Sequence, residues 1–253
     1  MTPRCYLPPD DWREGEIRLA GAQAHHLLRV LRVRRGDALV CLDGAGRESH
    51  ASVRQLSTKE ITLHLGPTQY LPEEPFSITL AMGVPGQGKL AEIVNQATQL
   101  GVAAIAPLST ERQLAGKRND RADQTASRLH RVAVEAIKQS GTTRIPRIQP
   151  IRSFKEILTT FSGFDRVLLA SLTDPREDLR VLLTEGQPRR VLILIGPEGD
   201  FSPQEISQAV EAGARCFSLG PSVLRCETAC VGAVSVVSFL LRQVAAKIPP
   251  CHP

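Results

Sequence analysis

The chain has 253 residues, of which 42% are hydrophobic and 23% are charged, and its formal net charge at pH 7 is +5. This composition excludes a mostly disordered chain, and the length suits one large domain or two modest ones. Only six of the 31 basic residues are lysine, and this excess of arginine points weakly to nucleic acid.

The N-terminal part of the chain, up to about residue 70, has the pattern of a small β-rich barrel or sheet. Turn signals such as Asp43-Gly44 separate its apolar runs. One helical pattern, from Ala22 to Val33, interrupts them. The proline-rich stretch 66–75 is predicted to be a linker. The predicted strands are Ala38–Leu42, His50–Leu56 and Ile61–Leu65.

From Phe76 onward, strand-like and helical patterns alternate along the chain. Such alternation predicts an α/β domain with a mainly parallel sheet and helices on both faces. The predicted strands are Ile78–Met82, Val102–Pro107, Val167–Ala170, Val191–Ile195 and Cys216–Leu219. The predicted helices are Leu90–Leu100, Ala122–Lys138, Phe154–Thr160, Pro203–Ala212 and Thr228–Val244.

Membrane, secretion and metal signals are weak in this sequence. No uninterrupted apolar run approaches the roughly 20 residues of a membrane-spanning helix, and the N-terminus has no apolar core of a secretory signal. None of the six cysteines forms a CxxC pair or completes a zinc pattern. We therefore expect a soluble cytoplasmic protein with reduced thiols and no metal site.

A glycine-rich stretch follows the first strand of the predicted α/β domain. Gly83 to Lys89 matches the phosphate-binding pattern G-x4-G-K between a strand and a helix. A nucleotide hydrolase would need Ser or Thr at the next position to hold magnesium, but Leu90 stands there. We therefore interpret the stretch as a flexible loop with Lys89 available to an anion, and not as an NTPase site.

The loop from Gly196 to Ser202 comes directly after the strongest predicted strand. Ser202 is predicted to cap the next helix, with Pro203 at its first position and Glu205 at its third. Ligands of open α/β sheets lie outside the carboxyl ends of strands, where glycines allow close approach to the backbone. The loop is therefore a candidate ligand site, unless it is only a tight turn.

A second glycine-bearing loop, Leu219 to Ala229, leaves a short strand and enters the last predicted helix. Arg225 and Glu227 bracket the start of this helix, whose small residues allow close backbone approach. The plain interpretation is an ordinary connection. Two such loops after two late strands nevertheless favour a joint site.

The N-terminal helical pattern carries a basic cluster that predicts a phosphate-contacting surface, unless it is only a solvated helix face. Four arginines fall within seven positions, namely Arg29, Arg32, Arg34 and Arg35.

Together these segments resemble the bacterial 16S rRNA (uracil-N3)-methyltransferases of the SPOUT superfamily, nearly from end to end. The stretch HHLLRVLRVRRGD resembles that family's N-terminal signature, and NQATQLGVAAIAPL with Thr110-Glu111-Arg112 resembles its central one. IGPEGDFSPQE and LGPSVLRCETA are similar to its two cofactor-loop motifs.

The resemblance implies a fold and an activity. The expected fold is a PUA-like RNA-binding β-barrel over residues 1–72, followed over 73–253 by a SPOUT methyltransferase domain with a parallel sheet and a trefoil knot. The expected cofactor is S-adenosylmethionine, and the expected reaction is methylation of N3 of a uridine. The expected partners are 16S rRNA or the small ribosomal subunit and a second copy in a homodimer, with no metal and no membrane.

The resemblance also implies site residues. Arg225 is expected to stabilise negative charge on the base, and Glu198 or Glu227 to remove a proton or to orient Arg225. Cofactor binding is expected of Gly196, Glu198, Gly199, Leu219, Gly220, Leu224, Thr228 and Ala229. RNA binding is expected of Arg4, Arg29, Arg32, Arg34, Arg35, Lys89, Arg112 and Arg144.

Four positions differ from the family's usual residues. Asp200 stands in place of glycine, Ser222 and Thr142 in place of arginine, and Gln99 in place of glutamate. These differences keep two alternatives open. One is a SPOUT methyltransferase that acts on a ribose 2′-hydroxyl or on another RNA, and the other is an RNA-binding assembly factor with weakened catalysis.

Overall fold

The computed structural model describes residues 2–86, 88–112, 122–172 and 175–246, without the side chains of residues 122–124. It divides into two compact units. The first holds the described residues up to Glu73 together with Ala133–Ile145, and the second holds the rest. The domain boundaries predicted from the sequence, 1–72 and 73–253, instead put segment 133–145 in the C-terminal domain.

The first unit is built on a six-stranded sheet whose neighbours run in the order β1-β3-β4-β5-β2, with β6 paired to β4. Only the β1–β3 pair is parallel. All three predicted strands are confirmed, while β6 lies inside the predicted linker. The strands are β1 (Arg4–Tyr6), β2 (Gly15–Leu19), β3 (Ala38–Leu42), β4 (Arg47–Leu56), β5 (Ile61–Leu65) and β6 (Gln69–Tyr70).

The helix of the first unit is shorter than predicted. Helix α1 (Gly21–His25) continues into a π-helical turn over His26–Val30, and the N–H of Leu31 donates to the carbonyl of His26 at 3.1 Å. The prediction of a helix as far as Val33 is therefore wrong in its last residues. Three arginines of the basic cluster lie on the loop that follows, namely Arg32, Arg34 and Arg35.

Helix α3 (Ala122–Ser140) contributes to both units, and its last turns pack in the first. There Ile137 lies in one buried cluster with Val40 and Leu42 of β3. Burial of apolar side chains on α3 thus explains why the end of a helix that comes late in the chain belongs to the N-terminal unit.

The second unit is built on a wholly parallel sheet in the order β10-β8-β7-β12-β11-β13, with β9 paired to β8. The five predicted strands are confirmed. The sequence pattern missed β9 and β10 because two residues are too few to show a period. The strands are β7 (Ser77–Gly83), β8 (Ala104–Ser109), β9 (Arg147–Ile148), β10 (Arg152–Ser153), β11 (Arg166–Ala170), β12 (Arg190–Ile195) and β13 (Arg215–Phe217).

Helices cover both faces of this sheet, as predicted. On one face, helices α4 and α6 bury Phe154, Ile157 and Ala209 against alternate residues of the central strands, including Leu192 and Leu194. Helices α2 and α5 pack on α7, which itself packs on β7 and β12. The remaining helices are α2 (Lys89–Gln99), α4 (Phe154–Leu158), α5 (Leu179–Thr184), α6 (Pro203–Glu211) and α7 (Cys226–Ala246).

Helix α7 corrects one exclusion drawn from the sequence. By length and composition it is apolar enough to cross a membrane, although the sequence suggested that no segment was. In the structure it packs against the sheet and two helices, and 39% of its most apolar 18-residue stretch is buried within this chain. The pattern was missed because small residues such as Gly232 and Ser235 interrupt it.

The order of the strands creates a switch point at the centre of the sheet. From β7 the chain crosses through α2 to β8 on one side, and from β12 it crosses through α6 to β13 on the other. Because β7 and β12 are neighbours, their following loops separate at one place on the carboxyl edge. Such a switch point is where open α/β sheets bind ligands.

Candidate active site

The loops after β7 and β12 meet at the switch point. A Cβ atom added to Gly83 would lie 2.6 Å from Cδ of Pro197, so only glycine allows the end of β7 to approach the β12 loop this closely. Cys226, the first residue of α7, has its Sγ atom 4.0 Å from the carbonyl oxygen of Gly83. Both glycine-bearing loops singled out in the sequence therefore reach the same strand end.

Glu198 joins the loops after β7 and β12. Its Oε1 atom accepts the backbone N–H of Gly86 at 3.1 Å and lies 3.4 Å from Nζ of Lys89. The N–H of Gly86, together with the charge of Lys89, holds the pKa of the Glu198 carboxyl below its usual value. Glu198 is therefore a fixed anion of the site.

Lys89 also contacts the first turn of α7. Its Nζ atom lies 3.3 Å from Oε1 of Glu227. Although desolvation lowers the pKa of Lys89, the hydrogen bonds and charges of Glu227 and then Glu198 raise it above its usual value. One ammonium thus lies between two carboxylates. The structure places Lys89 in this cluster beside two acids, and its expected contact with an anion of the RNA stays a prediction.

The second oxygen of Glu227 has no hydrogen-bond partner among the residues that the structure describes. Its Oε2 atom is buried and accepts no hydrogen bond from any described residue. A buried polar atom without a partner costs free energy, so one that persists points to a donor from outside the chain.

The connection from β13 to α7 offers room for a ligand. Gly220 has φ of +131°, which favours glycine, and a Cβ atom added there would meet no atom within 4 Å. Its N–H donates to Oγ of Ser218 at 3.1 Å, which holds the turn. Of the predicted cofactor residues that follow, Leu224 and Thr228 are exposed and Ala229 is partly buried.

The β12 loop is also held from the end of β8. Nη1 of Arg112 donates to the carbonyl of Gly199 at 3.2 Å. Glu205, which is 3% exposed, accepts the N–H of Glu111 at 3.0 Å. The predicted cap of α6 is confirmed, since Ser202 and Glu205 form a reciprocal capping box. Arg112 therefore supports the candidate cofactor loop, whereas the sequence analysis had assigned it to RNA.

Arg225, the predicted anion-stabilising residue, is exposed immediately before α7, and its guanidinium has no hydrogen bond or ion pair within the described part of the chain. The structure thus brings Glu198 and Glu227 together through Lys89, a residue assigned to RNA in the sequence analysis. It leaves Arg225 able to meet a ligand.

The remaining arginines assigned to RNA lie in the first unit, and their contacts divide them into two groups. Arg4 donates to the carbonyls of Lys138 and Gln139, both at 3.4 Å, at the end of α3. Arg144 donates to the carbonyl of Ala45 at 2.9 Å. These two side chains therefore hold the unit together. The other four are exposed and have no side-chain partner among the described residues, namely Arg29, Arg32, Arg34 and Arg35.

Two groups that shape the site were not predicted from the sequence. One is the N–H of Gly86, and the glycines of the phosphate-loop-like stretch were the signal for a backbone donor there. The other is the buried carboxylate of Glu205, which was assigned only to the helix cap. Its bond to Glu111 joins α6 to the segment after β8, which is distant in sequence, and so leaves no local signal.

Comparison with known proteins identifies relatives of this architecture. A family model described as an RNA methyltransferase domain matches residues 72–238, and one described as an RNA methyltransferase PUA domain matches residues 19–65. The chain is 30% identical over 245 residues to "Ribosomal RNA small subunit methyltransferase E" of Synechocystis sp., covering 96% of this chain and 79% of that protein.

Two solved structures are similar over nearly their whole length. One, from Legionella pneumophila with bound S-adenosylmethionine, has a TM-score of 0.85 at 26% identity and covers 94% of this chain and 98% of that one. The other is a ribosomal RNA small subunit methyltransferase E from Neisseria gonorrhoeae bound to S-adenosylmethionine, with a TM-score of 0.84 at 27% identity, covering 95% and 98%.

Proposed function

This chain belongs to the RNA methyltransferase family and carries its PUA domain, and we propose that it transfers a methyl group from S-adenosylmethionine to N3 of a uridine in 16S rRNA. The observation that carries the proposal is the gathering of Glu198, Glu227 and Lys89 at the switch point beside two glycine-bearing loops. The proposed substrate is supported by two proteins named ribosomal RNA small subunit methyltransferase E. One is aligned with most of this chain, and the other is a solved structure that covers most of it.

The residues of the switch point fit the cofactor. Gly220 offers open space beside the backbone, so a ligand can approach the chain closely there. The holding residues would be Gly196, Glu198, Gly199, Leu219, Gly220, Leu224, Thr228 and Ala229. S-adenosylmethionine, when bound, supplies an electrophilic methyl group on a sulfonium, and the electrons of the broken carbon–sulfur bond return to sulfur.

The protein's own contribution is orientation and electrostatics. Uracil N3 is a poor nucleophile while it carries its proton, so a carboxylate of the site, Glu198 or Glu227, takes that proton. Arg225 stabilises the negative charge that develops on the base. Because N3 lies on the pairing edge, the target uridine is unpaired or flipped out. The four unpartnered arginines of the first unit hold phosphates and position the RNA.

Mass spectrometry of rRNA tests this function. Small subunits from cells that lack the gene are incubated with the purified protein and S-adenosylmethionine, and their nucleosides are then analysed. We expect one new methyl group on a uracil base. A methyl group on ribose would replace the proposal with the 2′-O alternative. RNA binding without any methyl group would favour the assembly factor.

We also propose that the protein is a homodimer joined through α7. Val236 and Phe239 lie three positions apart on this helix and are 42% and 60% exposed. Val223, in the loop before α7, is 79% exposed. Contiguous exposed apolar side chains mark an interaction surface. Phe239→Asp should halve the mass measured by light scattering, whereas Val210→Asp, an exposed valine on α6, should leave it dimeric; a monomeric wild type would refute the dimer.

We also propose that the protein is a cytoplasmic enzyme and that its second unit contains a trefoil knot. Strand β13 lies at the edge of the sheet, yet α7 packs against central β7 and β12. This return from edge to centre supports a threaded path. A crystal structure would exclude the knot if its backbone path became a straight line when the two termini were pulled apart.

A further inference from the structure

The proposed function leaves open which of two carboxylates takes the N3 proton, and their contacts distinguish them. Glu198 follows β12, Glu227 lies in the first turn of α7, and the ammonium of Lys89 lies 3.4 Å and 3.3 Å from one oxygen of each. Three segments distant in sequence therefore meet in one cluster. Since the two carboxylates have different remaining partners, they have different roles.

The hydrogen bonds of Glu198 connect the loop after β12 to the loop after β7. The oxygen that faces Lys89 also accepts the N–H of Gly86 at 3.1 Å, and this bond joins the β12 loop to the β7 loop. A proton on this oxygen would turn the acceptor of two donors into a poorer one and loosen the contact between the loops. Proton uptake at Glu198 is therefore opposed by its own hydrogen bonds.

One carboxylate oxygen of Glu227 is paired with Lys89, and the other is unpaired within the described residues. Oε1 faces Lys89, while Oε2 is buried and has no partner among the described residues. The side chain keeps 15% of its surface exposed, although Oε2 itself is buried. The group that would satisfy Oε2 is a hydrogen-bond donor, and N3 of uracil carries one.

We propose that Oε2 of Glu227 accepts the proton of uracil N3, that Glu198 holds the two loops, and that Lys89 is a positioning residue that fixes Glu227 through Oε1. The proton leaves N3 for Oε2, and the electron pair left on N3 forms the bond to the methyl carbon. The carbon–sulfur bond of S-adenosylmethionine breaks at the same time, its electron pair returns to sulfur, and the neutral thioether leaves. The product is a neutral Glu227 carboxyl group and an N3-methylated base. This inference rests on the proposed function and assigns its base.

Charged and titratable groups face Glu227 from several elements. Lys89 of α2 and Glu198 of the β12 loop face it across the site. On its own helix, Cys226 is its neighbour in sequence, and Cys230 has its pKa raised by Cys226, by burial and by the charge of Glu227. Arg225 precedes it. Of these, Lys89 is the one cation in contact with its carboxylate within the described residues.

The test compares Glu227→Gln with Glu198→Gln, which removes the other carboxylate of the same cluster. Single-turnover methylation is measured on small subunits from cells lacking the gene, between about pH 6 and pH 9. We expect Glu227→Gln to lower the rate at neutral pH by about 10²- to 10⁴-fold, the usual contribution of a general base. Glu198→Gln should lower it by less than tenfold.

The pH profile gives a signature that a structural role would not. In Glu227→Gln the rate should rise about tenfold per pH unit, because hydroxide then removes the N3 proton in place of the carboxylate. The affinity for S-adenosylmethionine, measured by calorimetry, and the thermal unfolding midpoint should both stay near wild type. A wild-type rate in Glu227→Gln, or the large loss and the rise with pH in Glu198→Gln, would overturn the assignment.

Lys89 is tested by separating kcat from KM. Lys89→Met should lower kcat about ten- to a hundredfold with KM for small subunits unchanged, and Lys89→Arg should restore part of kcat. A raised KM with unchanged kcat would mean that Lys89 binds RNA and would overturn its positioning role. A wild-type protein that transfers no methyl group would refute the proposed function itself, whereas these variants test only its base.

Discussion

Asp200 combines an unfavourable backbone conformation with a local hydrogen bond. Its φ is +60°, in the left-handed region that glycine adopts freely, and its Oδ1 atom accepts the N–H of Phe201 at 2.8 Å. Each effect is worth about 1 kcal/mol, and the two oppose each other. This side chain therefore bonds within its own loop, which explains how an aspartate can occupy a position where the resemblance implied glycine.

Substitutions at Asp200 separate these two effects. Asp200→Ala keeps the strained φ and loses the bond, so it should lower the free energy of unfolding by about 1 to 2 kcal/mol. Asp200→Gly loses the bond but relieves the strain, and should stay within about 1 kcal/mol of wild type. Urea unfolding measures both, with Asp200→Asn as the variant that keeps an acceptor. Equal stability of the alanine and glycine variants would contradict the strain.

Arg225 is exposed and has no described protein partner, so its replacement should affect chemistry more than folding. Arg225→Ala should lower the rate of methyl transfer by about 10²- to 10³-fold, the usual effect of removing one donor to a developing anion. Arg225→Lys should recover part of this loss. The urea midpoint should not change. A wild-type rate in Arg225→Ala would remove its catalytic role.

At the scale of elements, the start of α6 is fastened to the end of β8 by one buried side chain. Glu205 accepts the N–H of Ser202 at 2.8 Å and that of Glu111 at 3.0 Å. Glu205→Ala leaves both donors without their partner and should lower the free energy of unfolding by about 2 to 4 kcal/mol.

The matched control for Glu205 is Glu205→Gln, which keeps the shape and one acceptor and should cost less than half as much in urea unfolding. Glu211→Ala, at the exposed end of the same helix, controls for helix propensity. If Glu205→Ala were no more destabilising than Glu211→Ala, the link between α6 and β8 would contribute nothing.

At the scale of the whole molecule, the contribution of the net charge of +5 to RNA binding depends on which arginines are available to phosphates. Arg4 and Arg144 are held by backbone carbonyls, while the basic cluster on and after the π-helical turn is not. Electrostatic binding to RNA releases about 0.7 counterion per phosphate contact on a single strand. The exposed cluster should therefore dominate the salt dependence of RNA binding.

The double variant Arg32→Ala/Arg35→Ala should reduce the slope of log affinity against log salt by about 1.4. The control is Arg18→Ala/Arg54→Ala, which removes the same charge from exposed positions on β2 and β4. Binding to 16S rRNA is measured at several salt concentrations. Equal slopes in the two double variants would show that only total charge matters.

Much of this fold was predictable because its signals are local. The apolar runs over Ile61–Leu65 and Val191–Ile195 marked β5 and β12, and Ser202, Pro203 and Glu205 marked the cap of α6. The two glycine-bearing loops were found as motifs. The end of α1 was not predictable, because the spacing of apolar residues does not distinguish an α-helix from a π-helical turn that buries Leu27.

By itself the sequence determined the two kinds of domain, the parallel sheet and the two candidate ligand loops, since periodicity, caps and motifs depend on neighbouring residues. Only the tertiary structure decided which charges remain available. It put Lys89 between Glu198 and Glu227, bound Arg4 and Arg144 to backbone carbonyls, and left the cluster after the π-helical turn exposed. The physical reason is that the availability of a charge depends on partners that are distant in the chain, and folding alone brings these together.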